Sequence, residues 1–159
     1  RYQSLLVMNT TLATGEQPLS PGFLAWRDWC KSQPLFDVGK LFLRGNPSMS
    51  AAQAAAYNAP FPDSGYTAAA RIFPSFVPFE NNVAIPDQKK AWAVLEKFDK
   101  PFLCCFSDGD PVTRGGEARW IGRVPGTEGQ PHTTLKGGHF IQEDDPKGFV
   151  DCILKVAKA

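Results

Sequence analysis

The sequence is short of metal-binding residues, of net charge and of long apolar runs. Its 159 residues hold only two histidines and four cysteines, and Cys30, Cys104, Cys105 and Cys152 show none of the paired spacings of a zinc site. Cys104 and Cys105 are adjacent in an apolar run, where a strand would point them to opposite faces. We expect buried thiols and no metal. Lys and Arg number 17 against 16 Asp and Glu, for a net charge of +1, and the signs are mixed along the chain. That excludes a basic stripe for nucleic acid or an anionic membrane surface. No apolar run approaches the roughly 20 residues that span a bilayer, and no basic-then-apolar leader opens the chain. The expectation is a soluble, cytoplasmic protein without nucleic-acid or membrane partners. Internal repeats and low-complexity segments are absent as well.

What the chain does have is a series of apolar runs joined by amphipathic pieces. Residues 1–9 read as a buried strand of the kind found inside parallel sheets, so the chain is expected to begin inside a fold. Pro18, Pro21 and Gly22 break that pattern, and residues 23–31 suit a short helix that Pro34 closes. From Asp37 to Ile85 helical pieces alternate with prolines. Ser50 is placed to cap residues 51–57, Pro60 and Pro62 force a loop, and residues 65–73 suit a second helix, interrupted at Pro74 and Pro78. An aromatic-rich insertion of this kind is expected to be a lid over a cleft. Residues 87–98 restore periodicity, with Ala91, Val94, Leu95 and Phe98 on one apolar face. A strand over 101–106 ends in the turn 107–111. A short helix over 116–123, a third strand over 132–135 and a helix from about Pro146, with Phe149, Cys152, Ile153 and Val156 on one face, complete the chain. The order implies an α/β fold: a parallel sheet with flanking helices and a helical insertion, divided as 1–10 (core strand), 11–84 (cap) and 85–159 (remaining core).

Within this frame one histidine stands out, because Gly137-Gly138-His139 delivers an imidazole just past a strand on a backbone that can turn sharply. Asp110 lies just past the preceding strand. In a parallel sheet both emerge at the carboxyl edge, where α/β proteins bind ligands. A carboxylate there can fix the histidine tautomer and leave the other ring nitrogen free to take a proton. The plainer alternative is a turn cap and a packed loop histidine; acid before histidine at consecutive strand ends favours the pair. Asp108 is read as the turn cap. A nucleophile is missing: no strand runs into a small-x-nucleophile-x-small elbow, and Ser48, Ser50 and Ser75 sit in helical, proline-bounded surroundings that suit capping. In hydrolases of this chain order the nucleophile would lie upstream of Arg1.

These residues carry a resemblance. The chain is similar to the carboxyl-terminal half of haloalkane dehalogenases of the α/β-hydrolase superfamily. The similarity runs through residues 5–9, 22–26, 57–63, 73–74, 101–103 and 106–116, and into Gly138-His139-Phe140-Ile141-Gln142-Glu143-Asp144. Asp-Pro and Gly-His mark only the superfamily, whereas the Ala-Pro-Phe-Pro-Asp loop and the Gly-His-Phe-x-Gln-Glu ending narrow it to the family. The resemblance implies an α/β-hydrolase fold without a cofactor. An upstream aspartate would attack the halogen-bearing carbon, His139 would activate water against the resulting ester, and Asp110 would orient His139. Trp26 would hold the halide, and Phe23, Phe73, Pro74, Val77, Val112 and Phe140 would line the pocket for a small halogenated alkane. One branch of the family carries its acid where this chain has Asn9, which is either a neutral donor near the site or a turn residue. The implied partners are the alkane, the halide ion and the amino-terminal half of the same protein, without which this chain is expected to be inactive and poorly soluble. The rival readings are an epoxide hydrolase, which needs lid tyrosines such as Tyr57 or Tyr66, and a non-catalytic hydrolase half acting as a binding or assembly module.

Overall fold

Leu5–Met8 (β1), Phe102–Ser107 (β2) and Thr133–Leu135 (β3) form one parallel sheet in the order β1-β2-β3. The register sets Leu5 opposite Phe102, Met8 opposite Cys105 and Ser107 opposite Leu135, so all three strands end at one edge. This computed structural model describes residues 2–77 and 82–158; the expected strand start at Arg1 and break at Pro78 lie outside the described residues. β2 is buried along its whole length because both of its faces are covered. Phe102, Cys104 and Phe106 pack with Trp92, Trp120 and Val124 on one side, and Leu103 and Cys105 with Ile141, Cys152 and Val156 on the other. The adjacent cysteines therefore point apart, as a period of two requires, and all four are free and buried. Burial, aided by the charge of Glu117, pushes the Cys104 thiol up to about 12. It does the same to Cys105, helped by the Cys152 thiol. Neither is poised as a nucleophile.

The flanking helices differ from the periodicity in detail. Ile85–Leu95 (α5) leaves Val94 67 % exposed and buries Trp92 instead. The helix is rotated toward the side chain with the most surface to hide: Trp92 lies 4.9 Å from Trp120, and its indole N–H donates to the Leu12 carbonyl at 2.8 Å. Pro146–Ala157 packs Phe149, Cys152 and Val156 on the sheet, while Ile153, at the edge of that stripe, is 41 % exposed. Over 116–123 only a 3₁₀ turn, Gly116–Arg119, forms. Gly115 (φ 78°) and Gly122 (φ 79°) bound it in the left-handed region, which ends helical geometry.

In the insertion, Pro21–Ser32 (α1) is capped by Ser20, whose hydroxyl accepts from the Phe23 amide at 3.2 Å. Val38–Gly45 (α2) is capped by Asp37, and Ala51–Asn58 (α3) carries a Ser50/Gln53 capping box. α2 and α3 meet closely at Gly39, where a Cβ would sit 2.4 Å from the Ala54 carbonyl oxygen. The next helix of the insertion, Ala68–Ile72 (α4), begins later than expected and tightens into the 3₁₀ turn Phe73–Phe76, because Pro74 has no amide to continue the α pattern.

His132 precedes β3 and ties it to its neighbours. Its Nδ1 accepts from the Cys104 amide at 3.1 Å and its Nε2 lies 3.0 Å from the Thr127 carbonyl, which assigns a neutral ring with the proton on Nε2. Substitution by alanine leaves the amide of fully buried Cys104 unsatisfied. His132→Ala is expected to cost about 1–3 kcal/mol, read as a lower urea midpoint.

Candidate active site

The turn after β2 holds a carboxylate that the sheet buries. Asp110 is 1 % exposed, and one of its oxygens accepts the Val112 amide at 2.7 Å. The other accepts the Thr113 hydroxyl and lies 2.9 Å from His139 Nδ1. Burial by itself pushes this carboxyl up. Hydrogen bonds from His139, Thr113 and the Val112 amide, with the charge of His139, outweigh it and hold the group below the ordinary aspartate value. The ionised form is the one the site accommodates, so Nδ1 donates to it, and in the neutral tautomer that this bond selects Nε2 has the free lone pair.

Two turns are tied together to make this pair. Asp108 donates its amide to Leu135 (3.0 Å) and Gly109 donates to Gly137 (2.9 Å), while the Asp108 carboxylate accepts the Gly137 amide at 3.2 Å. Asp108 is thus a cap on the neighbouring turn. Gly137 is required there, since a Cβ would lie 2.6 Å from that of Asp144 and 2.7 Å from Ile141 Cδ1. The Gly138 amide then donates to Asp144 at 2.6 Å.

His139, with its side chain 32 % exposed, faces a cleft of about 970 Å³ between the sheet edge and the insertion. Trp26, Phe23, Phe73, Pro74, Val77 and Val112 line that cleft with it, and the rings of Phe23 and Trp26 meet edge-on at 5.7 Å. Phe140 does not line it. It precedes the short helix Ile141–Asp144; its ring meets that of His139 edge-on at 5.5 Å and stacks on Phe42 at 4.1 Å. Phe42 in turn stacks on Tyr57, whose hydroxyl donates to Glu143. Tyr57 and Tyr66 are also outside the lining, and Tyr66 is 63 % exposed.

No aspartate or glutamate side chain lines the cleft among the described residues, although Arg114, Arg119 and Arg123 do. Ser20, the lining serine, is engaged: its hydroxyl caps α1 and donates to the Val112 carbonyl at 3.1 Å. Ser50 is a cap, and Ser75 lies inside the Phe73–Phe76 turn. The described residues thus bring an imidazole and a buried carboxylate together, with no aspartate, glutamate or cysteine lining the cleft beside them. Nor do they include a group of three potential metal ligands.

Sequence reasoning left Asn9 undecided and missed Ser107. Asn9 is buried immediately after β1 with φ 37°. Its amide reaches Ser107 Oγ at 2.8 Å and the carbonyls of His139 (3.0 Å) and Gly138 (3.2 Å). An asparagine closing an apolar strand was the available signal; its partners lie 98 to 130 residues away.

No protein-family model matches the chain. A haloalkane dehalogenase of Psychrobacter cryohalolentis is 44 % identical over 147 residues, covering 91 % of this chain and 48 % of that protein. One of Mycolicibacterium paratuberculosis is 37 % identical over 161 residues, covering 100 % and 54 %. The chain spans about half the length of the curated relatives it matches. Among solved structures, the tetrameric haloalkane dehalogenase of Paraglaciecola agarilytica superposes with a TM-score of 0.82 at 22 % identity over 97 % of this chain and 52 % of that one. Such a likeness establishes the fold: the parallel sheet and its helices form the carboxyl-terminal part of an α/β-hydrolase fold.

Proposed function

We infer, from a chain homologous over nearly its whole length to about half of a haloalkane dehalogenase, that the complete protein hydrolyses carbon–halogen bonds. The observation that carries this reading is the imidazole of His139, 2.9 Å from the buried Asp110 carboxylate and facing a cleft that holds no carboxylate of its own among the described residues. A base so placed serves a nucleophile brought from elsewhere, and the half of the relatives that this chain does not match is its source.

In the proposed reaction an upstream aspartate attacks the halogen-bearing carbon, and the carbon–halogen bond breaks as the alkyl ester forms. The indole N–H of Trp26, a donor with no acceptor on the same group, stabilises the departing halide. Phe23, Phe73, Pro74 and Val77 give the halide an apolar wall with no competing acceptor in their side chains. Water then gives a proton to His139 Nε2 and adds to the ester carbonyl; on collapse the imidazolium protonates the departing alkoxide to the alcohol, and the aspartic acid left behind loses its proton to solvent, restoring both groups. Asp110 holds the proton on Nδ1 throughout and stabilises the imidazolium. Residues 11–84 act as the cap over this site, and the missing half pairs along the edge of β1, which has no strand partner among the described residues.

An epoxide hydrolase needs a lid hydroxyl aimed at the ring oxygen, and neither Tyr57 nor Tyr66 lines the cleft. The discriminating experiment supplies the complete protein with short brominated alkanes and, separately, with epoxides. Bromide and alcohol in equal amounts are expected. Diol formation from epoxides alone overturns the reading in favour of the first rival, and turnover of neither favours the non-catalytic module. No helix among the described residues is long and apolar enough to cross a membrane.

A further inference from the structure

We propose that Asn9 and Ser107 form a clamp that positions His139 through its backbone. The three parallel strands end at one edge, and one polar residue from each of the first two meets the loop after the third. Asn9 takes the left-handed conformation that asparagine tolerates better than most residues, which turns its side chain back under the sheet edge. Its Oδ1 accepts the Ser107 amide at 2.9 Å. Its Nδ2, with two hydrogens, serves Ser107 Oγ at 2.8 Å, the His139 carbonyl at 3.0 Å and the Gly138 carbonyl at 3.2 Å. The Ser107 hydroxyl passes its own hydrogen to the Gly138 carbonyl at 2.7 Å.

Both clamp residues are buried, Ser107 to 1 % and Asn9 to 7 % exposure, so these bonds form away from competing water. The histidine is consequently held twice. Asp110 restrains rotation of the ring, whereas Asn9 and Ser107 fix the peptide groups on either side of His139, through the Gly138 and His139 carbonyls. A ring hydrogen bond alone would let the whole loop slide with its acid. The clamp removes that freedom and sets where Nε2 stands in the cleft. Asparagine suits the position because it accepts on one side and donates on the other. An aspartate would set a charged acceptor against two carbonyl oxygens.

The kinetic part of the test rests on the dehalogenase reading; the spectroscopic part does not. Asn9→Gly removes the clamp without straining a left-handed backbone, and Ser107→Ala removes the hydroxyl alone. Since His139 acts after the halide has left, both variants of the complete protein are expected to keep the first-turnover halide burst and kcat/KM while kcat and KM fall together. A displacement of the base by about 1 Å is worth roughly a hundredfold. Asn9→Asp is expected to lose more than Asn9→Gly. In ¹⁵N-histidine spectra, assigned with His139→Gln, both Asn9→Gly and Ser107→Ala should move the His139 ring signals, while the unrelated destabilising variant His132→Ala leaves them in place. Unmoved His139 signals overturn the proposal whether or not the parent protein turns over haloalkanes. Unchanged kcat in both variants of an active parent does the same. A parent that releases no halide refutes the dehalogenase reading and leaves the spectra to decide the clamp.

Discussion

In the complete protein, His139→Gln should release one equivalent of halide per active site from a brominated alkane and then stop. Alkylation of the upstream aspartate requires no proton transfer, so it proceeds without the imidazole. Hydrolysis of the ester does require one, because water must lose a proton as it adds to the carbonyl. The glutamine amide has no basic lone pair to take it. General-base assistance of this kind is worth about 10²–10⁴-fold, and steady-state turnover is expected to fall by at least that range while the burst survives. Mass spectrometry of the stalled protein should find the alkyl group on a segment upstream of Arg1. Loss of the burst together with turnover would place His139 before the carbon–halogen bond breaks and would refute the assigned order of steps.

The second large effect is expected of Asp110→Asn, and the arrangement of donors around this carboxylate gives the reason. Three donors converge on it: the Val112 amide on one oxygen, and the Thr113 hydroxyl and His139 Nδ1 on the other. An asparagine offers one oxygen and one NH₂. The Val112 amide belongs to the backbone and cannot turn away, so it claims the oxygen, and the NH₂ is left facing His139. That imposes the tautomer protonated at Nε2, which is useless as a base toward water. The same change in a serine-protease triad costs about 10⁴-fold, and a loss of roughly that order in kcat is expected here, with the halide burst again intact. Stability should respond to pH as well. A carboxyl held below its ordinary value in the folded state contributes stability that is complete above the unfolded aspartate pKa of about 4 and is lost as pH falls through the lower folded value. Asp110→Asn should therefore flatten the acid side of the stability profile, measured by urea midpoints from neutral pH downward. A parallel acid slope in parent and variant would count against the buried ionised pair.

Much of this site was legible in the chain because its parts are local. Apolar runs located the three strands. The turn chemistry of residues 107–111 and the glycines before His139 placed an acid and a histidine at consecutive strand ends, and a parallel order carries both to one edge. The capping of α3 by Ser50 was equally plain, since a cap and its helix are contiguous. Side-chain direction at the junctions was less accessible. The resemblance implies Phe140 as a pocket residue, but its ring lies between the rings it touches, His139 at 5.5 Å and Phe42 at 4.1 Å, and does not line the cleft. Periodicity placed Val94 and Ile153 on buried faces. It defines a stripe without saying which edge of the stripe the sheet covers, and the bulk of Trp92 decided that for α5.

What the sequence determined by itself is therefore the inventory and its order: a parallel α/β core interrupted by a helical insertion, with an aspartate and a histidine at consecutive strand ends. Only the tertiary structure decided which polar groups meet. Asn9 and Ser107 are 98 residues apart, and Asn9 and His139 are 130 apart. No local pattern encodes pairings at that range. They exist because the parallel register ends the three strands at one edge, where a buried amide has no water to bond and must find the neighbouring carbonyls instead.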